Sequence, residues 1–228
     1  PIQDNISSFL EPDGSWFMNI KEHAEDGQRH LYVKDLLLAH VREWGWKWVD
    51  EFAWIHGGTP KGVQQRFKNG WEPIFQFTRV RHKFRPENVR HKSKGDVDWG
   101  GRHPSKNDGH GLRYTGFKPI HLGESQGHSK GKTGRYKASD GMAYPSNVLS
   151  LGHNHESLGH AAAYPIGLPE FFICAFSDVG DKAFDPFMGS GTTLIAGEKW
   201  SRPTLGMEIS PAYCDVIVRR WQDFTGKE

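Results

Sequence analysis

The sequence predicts an α/β domain with a largely parallel sheet, interrupted by an inserted glycine-rich basic segment. Three observations carry that expectation. Strand-like runs alternate with helix-periodic runs in the first and last thirds of the chain, the pattern that builds helices onto a parallel sheet. The positive charge is concentrated in the middle third. A glycine loop joins a strand-like run to a helix-like run near residue 190. At 228 residues the chain suffices for one large domain or two small ones, with a real core.

In chain order, Glu11-Pro-Asp-Gly14 is a turn signal and Ser15–Ile20 a strand-like apolar run. Val33, Leu36, Leu37, Val41 and Trp44 recur at helical spacing and form an amphipathic helix ending before Gly45. Trp46–Ile55 reads as a strand. Trp71–Thr78 reads as another, in which Pro73 suggests an edge or a bulge. Pro169 suits the first turn of a helix carrying Phe172, Ile173 and Phe176. Lys182–Phe187 is a short strand, Thr192–Trp200 a helix and Thr204–Glu208 a further strand. Tyr213, Val216, Ile217, Trp221 and Phe224 form the apolar face of a last helix.

Between Arg81 and Lys137 there are 14 Lys and Arg against 5 Asp and Glu, a balance of +9, while the rest of the chain carries −7. This stretch also holds ten glycines and six of the 13 histidines and is poor in aliphatics, so it cannot build a large core of its own. The composition divides the chain into residues 1–80, a basic insertion at 81–145 and residues 146–228. Trp99, Tyr114, Phe117 and Tyr136 interleave with the basic residues, a pattern suited to nucleic acid. Lys92, Lys94, Arg113 and Arg135 are the candidate contacts.

Composition excludes several classes. With 36% hydrophobic residues, 13% aromatics and nine Trp, the chain is not a disordered polymer. No apolar run approaches the roughly 20 residues of a membrane span, and the first residues lack a signal pattern. Two cysteines, Cys174 and Cys214, do not make a disulfide framework or a thiolate zinc site, and a reducing cytosol fits.

One motif is sharp. Phe184-Asp-Pro-Phe-Met-Gly-Ser-Gly-Thr-Thr193 leaves a strand, crosses a loop and enters a helix. Gly189 and Gly191 let backbone approach a ligand at the carboxyl end of a strand, where open α/β sheets bind ligands. Glu208 closes the next strand, where a carboxylate can accept both ribose hydroxyls of a nucleoside cofactor. The third glycine of a dinucleotide fingerprint is absent, since position 194 is Leu, and no P-loop lysine follows Gly191.

These residues resemble the DNA amino-methyltransferases that use S-adenosylmethionine. Asp185-Pro-Phe-Met-Gly-Ser-Gly-Thr-Thr193 looks like their cofactor motif, and Gly206-Met-Glu-Ile-Ser-Pro-Ala-Tyr-Cys214 like the motif with the ribose acid. His160-Ala-Ala-Ala-Tyr-Pro-Ile-Gly-Leu-Pro-Glu170 is similar to the segment that closes over the methionine end. Asn19, Trp54-Ile-His and Arg66-Phe-Lys-Asn-Gly-Trp-Glu72 resemble segments that follow the catalytic motif. The order, with the catalytic side first, an insertion, then the cofactor half, is that of the β group. The resemblance implies a Rossmann-like methyltransferase fold and a target-recognition insertion. It implies a cofactor site of Tyr164, Pro165, Asp185, Pro186, Phe187, Gly189, Gly191, Thr192, Thr193 and Glu208. It also implies double-stranded DNA with a flipped base as partner, and a cytoplasmic, bacterial or phage, restriction–modification setting.

The family's catalytic tetrapeptide, [Asp/Asn/Ser]-Pro-Pro-[Tyr/Phe/Trp], is absent, since the chain contains no Pro-Pro. In the family it precedes the segment seen here as Leu10–Gly14, so it is expected upstream of Pro1, in a missing segment of the same protein. No catalytic residue is assigned within the chain. That absence keeps a second expectation open, a non-catalytic DNA-binding protein with a retained fold; an RNA amino-methyltransferase is a third. His153-Asn-His155 spells three letters of a nuclease motif without its further ligands. Histidines 82, 91, 103, 110, 121 and 128 could bind a metal, but without thiolates or an H-x3-H spacing they suit phosphate contact or solvent exposure better, and no metal is expected.

Overall fold

The computed structural model describes residues 2–55, 69–92, 142–151 and 164–227. The chain divides into two compact units, Pro1–Val89 with Tyr144–Glu228, and Arg90–Ala143.

The first unit opens with helix α1 (Ile2–Phe9), strand β1 (Trp16–Asn19) and the small hairpin β2 (Ala24–Glu25) and β3 (Gln28–Arg29). Helix α2 (Tyr32–Arg42) and strands β4 (Lys47–Ile55) and β5 (Trp71–Thr78) follow, then a 3-10 turn at Pro86–Val89. Strands β6 (His91–Lys92) and β7 (Met142–Ala143) are the described elements of the second unit, paired antiparallel. The chain re-enters the first unit with β8 (Val148–Ser150) and continues through α3 (Gly167–Phe176), β9 (Ala183–Asp185), α4 (Thr192–Lys199), β10 (Thr204–Gly206) and α5 (Pro211–Thr225).

The main sheet has the order β1-β5-β4-β8. Strand β5 runs antiparallel to both β1 and β4, and only the β4–β8 contact is parallel. A separate parallel pair, β9 and β10, carries the last part of the chain. The expected largely parallel sheet is therefore corrected to a mixed one. β4 and β5 are consecutive and antiparallel, whereas strands separated by a helix, as β9 and β10 are by α4, pair in parallel.

Strand β5 is buried on both faces, and this organises the core. Ile74 points into one layer with Phe52, Trp54, Leu149, Leu168, Phe172 and Phe176, so α3 covers that face. Phe75 and Phe77 point into the other with Ile6, Val33, Leu37 and Trp46, so α1 and α2 cover it. Phe17 joins β1 to α3 through rings 4.5 Å from Phe172 and 4.9 Å from Phe176. The result is three layers with the sheet in the middle.

Two sequence expectations need correction. Pro73 does not mark an edge, because β5 lies between β1 and β4. The Pro73 carbonyl accepts the Asn19 side-chain amide at 3.0 Å, so its backbone polar side faces the β1 flank. The β1 register ends at Ile74, and no ladder bond is lost to the missing N–H. The irregularity falls instead on β4, between Trp48 and Asp50. On α5, Tyr213, Val216, Ile217 and Trp221 are half-buried or partly exposed, but Phe224 near the end of the helix is exposed.

The segment that precedes the second unit is anchored to α3. Arg85 N–H donates to the Ala175 carbonyl at 2.7 Å, and the Asn88 amide donates to the Cys174 carbonyl at 3.1 Å. The Arg85 guanidinium grips Asp178 at 2.8 and 3.0 Å, and Lys83 reaches Asp181 at 2.5 Å. The hydrogen bond and charge of Arg85 hold the Asp178 carboxyl below its ordinary range.

His40 on α2 is 2% exposed, stacks on Phe77 at 4.6 Å and lies with Nδ1 2.7 Å from the Leu36 carbonyl. Burial lowers its pKa from the ordinary 6.5, the Leu36 contact opposing only in part. Below pH 6.5 the unfolded chain takes up a proton that folded His40 resists, so this contribution is complete above 6.5 and is lost as pH falls through the folded value. Thermal midpoints of the protein should fall with acidification below pH 6.5, and the fall should be shallower in His40→Gln. Parallel pH profiles of the two proteins would contradict the assignment.

Candidate functional site

Strands β9 and β10 end side by side, with Asp185 opposite Gly206. From those ends the chain turns into two loops that hold each other. Met207 N–H donates to the Asp185 carbonyl, and Met188 N–H to the Met207 carbonyl, both at 2.9 Å. A Cβ at Gly206 would meet Met188 Cε at 1.9 Å and Met188 Cβ at 3.2 Å, so any other residue there would make the Met188 side chain shift.

The glycine loop is folded by one carboxylate. Asp185 Oδ1 accepts the Phe187 N–H at 2.9 Å, closing a turn on Pro186. Asp185 Oδ2 accepts the Thr193 hydroxyl at 2.6 Å, and the Tyr164 oxygen lies 3.4 Å from the same atom. Because the Thr193 proton goes to Asp185, the 2.8 Å contact between Tyr164 and Thr193 is a donation by the tyrosine. Burial first, and the Asp185 charge second, raise the Tyr164 pKa far above its ordinary value, so it stays a donor. Pro165 beside it is buried and offers its carbonyl to Leu168 N–H at the start of α3.

Gly189 and Gly191 both lie in the left-handed region, at φ 55° and 83°. A Cβ at Gly191 would also come within 3.1 Å of Ile217 on α5, so α5 packs directly beneath the loop. From the same helix Arg220 Nη1 donates to the Ser190 carbonyl at 2.5 Å and the Ser190 hydroxyl at 3.0 Å, and lies 3.5 Å from the Thr192 hydroxyl.

Glu208 lies two residues beyond β10, which ends at Gly206 rather than running to the acid. Its carboxylate bridges the two loops. Oε2 accepts the Gly189 N–H and Oε1 the Ser210 N–H, each at 2.8 Å. Its chain neighbours Met207 and Ile209 are 62% and 99% exposed, and Phe187 on the glycine loop is 70% exposed.

Of the expected cofactor residues, Tyr164, Asp185 and Thr193 meet directly, and Gly189 and Glu208 meet through one hydrogen bond. Thr192 is buried on the Arg220 side of the loop. Sequence reading missed Arg220, whose partners lie about 30 residues away and leave no local signal. It also missed Met207 and Ile209, which flank Glu208 in the chain. Lys92 ends β6 in the second unit. Lys94, Arg113, Arg135, His56 and His153-Asn-His155 lie outside the described residues, as do Arg66-Phe-Lys68 and histidines 103, 110, 121 and 128.

A second concavity, of about 480 Å³, opens on the α3 side of the sheet. Phe52, Gln76, His82, Phe84, Tyr144 and Asn147 line it, where the chain leaves and re-enters the first unit. No described helix is long and apolar enough to cross a membrane.

Known proteins resemble this chain in sequence and in fold. An orphan methyltransferase of Bacillus amyloliquefaciens, M.BamHII, is 29% identical over 164 residues, 69% of this chain and 57% of its own length. The type II methyltransferase M.PvuII of Proteus hauseri is 33% identical over 110 residues, 42% of this chain and 32% of its own. This chain thus spans about half or less of the length of these relatives. Among solved structures, the PvuII DNA methyltransferase (cytosine-N4-specific) superposes with a TM-score of 0.65 at 20% identity, covering 96% of this chain and 70% of that one, which shows the shared fold. The sequence profile of the N6/N4 DNA methylase family matches residues 2–219, and the chain belongs to that family.

Proposed function

We propose that the protein transfers a methyl group from S-adenosylmethionine to an exocyclic base amine of double-stranded DNA, adenine N6 or cytosine N4, as restriction–modification methylases do. The observation that carries this reading is the Glu208 carboxylate, held by two backbone amides between the glycine loop and the end of β10.

The residues present fit the cofactor. A carboxylate is the acceptor that a pair of ribose hydroxyls calls for, and Glu208 stands between the two loops. Phe187 on the glycine loop and Ile209 next to Glu208 in the chain are both strongly exposed and offer apolar surface to a purine ring. Neither 185–193 nor 206–210 contains Lys or Arg, as suits a ligand without phosphates. The glycines at 189 and 191 keep side chains out of the loop, and Asp185, Thr193 and Tyr164 hold its shape before anything binds. Pro186, Pro165 and Thr192 act through that shape.

When bound, S-adenosylmethionine supplies an electrophilic methyl group on a sulfonium. What the chain contributes is orientation, which in a transfer between two bound partners accounts for much of the rate. A base inside a duplex cannot reach such a site and must be flipped out. No residue of these 228 is assigned to holding the amine. A protein solved from Thermus thermophilus in complex with S-adenosyl-L-methionine shares the fold, with a TM-score of 0.59 at 19% identity over 100% of this chain and 76% of that one.

Calorimetry on Glu208→Ala tests the cofactor assignment. Charge-assisted hydrogen bonds are worth roughly 1.5–3 kcal/mol, so S-adenosylmethionine affinity should fall about 10- to 100-fold. Unchanged affinity in a folded variant would remove Glu208 from the site.

DNA contact is assigned to the +9 segment Arg81–Lys137. Each phosphate contact contributes about −0.9 to the slope of log affinity against log salt. Replacing Lys92, Lys94, Arg113 and Arg135 together with Glu should weaken duplex binding and flatten that slope. The parent's affinity and slope in the fourfold variant would place the DNA contacts elsewhere.

A further inference from the structure

The hairpin β2–β3 is not used by the methylase reading, yet it gathers three metal-ligating side chains. Its turn is Asp26-Gly27, with φ 50° and 79°, the positive pair required by the type I′ turn that suits a two-residue hairpin. The register sets Ala24 against Arg29 and Glu25 against Gln28, so His23 and His30 face each other one position further on. The His30 N–H donates to the His23 carbonyl at 3.0 Å. Alternation along a strand places His23, Glu25 and His30 on one face and Ala24 and Arg29 on the other.

The side chains have already converged. The two imidazoles stack with centroids 5.6 Å apart and planes 28° apart. His30 Nε2 lies 3.4 Å from Glu25 Oε2. One ligand atom from each of the three residues lies within 4.8 Å of the other two.

We propose that His23, Glu25 and His30 form a binding site for a divalent transition ion of the zinc class. Imidazole nitrogen and carboxylate oxygen are donors that zinc takes at about 2.0–2.2 Å, which sets tetrahedral neighbours about 3.4 Å apart. The His30–Glu25 pair has that separation, and a ring rotation brings in the third donor. Three protein ligands leave one position for water or an external ligand. Magnesium and calcium select all-oxygen sets, so a pair of imidazoles discriminates against both.

The alternative is an exposed His–Glu ion pair of negligible consequence. What distinguishes this cluster is that its backbone is fixed from behind. The Tyr32 hydroxyl on α2 accepts the His23 N–H at 3.0 Å and donates to the Lys21 carbonyl. Glu22 is held by Arg29 at 3.4 Å and Lys34 at 3.3 Å, which ties the hairpin to α2. The backbone part of the cost of bringing the ligands together is therefore met by the fold before the ion arrives. All three side chains are exposed, so the ion has open access. Bound there, it would cross-link the two arms of the hairpin. The chain contains 13 histidines, and only the fold shows which two face each other.

The test is calorimetric titration of the metal-free full chain with zinc chloride, with magnesium chloride as the control. The parent should show a saturable zinc site and no magnesium binding, and zinc should raise its thermal midpoint. His23→Ala with His30→Ala should weaken the site at least about 100-fold and abolish the thermal shift. Glu25→Gln, which keeps the shape of the hairpin, should weaken it in the same direction. His82→Ala with His91→Ala should leave it unchanged. No saturable zinc binding by the parent below about 1 mM, or equal affinity in the hairpin variants, would overturn the proposal. None of these substitutions touches the glycine loop, so the outcome is independent of the cofactor assignment.

Discussion

The Asp185 carboxylate is the constraint on which the site depends. Its two oxygens accept the Phe187 amide and the Thr193 hydroxyl, and Thr193 in turn accepts from Tyr164. It therefore joins the end of β9, the glycine loop, the first turn of α4 and the segment entering α3. Without it, the positive φ at Gly189 and Gly191 would be two conformers among many that glycine permits. With it, those angles are selected, and Gly189 N–H is brought to the Glu208 carboxylate. A binding surface assembled this way has its conformational entropy removed at folding rather than at binding.

That local network rests on packing from a distance. Parallel pairing of β9 and β10 places two strand ends together, and the short chain between them is α4 and its turns. Gly206 lets Met188 cross the end of β10, while Ile217 and Arg220 of α5 close the underside of the loop. The Arg85–Asp178 and Lys83–Asp181 pairs connect the first residues of the basic segment, which belong to the first unit, to the turn that precedes β9. The main sheet contributes differently. Its central β5 is buried on both faces, and the Phe17 ring seats α3, which Tyr164 and Pro165 precede in the chain.

How much of this could be read from the residues depends on how local the cause was. The glycine loop, its flanking strand and helix, and Glu208 sit within one continuous stretch, so type and spacing together identified them. The helix at Tyr32–Arg42 followed from apolar periodicity, because burial of Val33 and Leu37 is what the period encodes. Pro73 misled because the side of a strand left without a partner is decided by the length of β1, which lies more than 50 residues away. The mixed character of the sheet escaped for a related reason, since alternation of strands and helices does not reveal which strands become neighbours. Arg220 and the facing pair His23 and His30 gave no signal at all. Their meaning is a matter of which side chain ends opposite which, and only the fold settles that.

The central claim is that Asp185 folds the loop before any ligand is present. Backbone amide hydrogen exchange of Asp185→Asn against the parent, both without cofactor, measures this directly. Asparagine keeps the shape but replaces one acceptor oxygen with a donor and removes the charge. Loss of charge-assisted bonds worth roughly 1.5–3 kcal/mol should speed exchange at Phe187, Gly189 and Gly191 by about 10- to 100-fold. Phe75 and Phe77 in the core should exchange as in the parent. Equal protection of the loop amides in the two proteins would show that the loop is held by something other than this carboxylate.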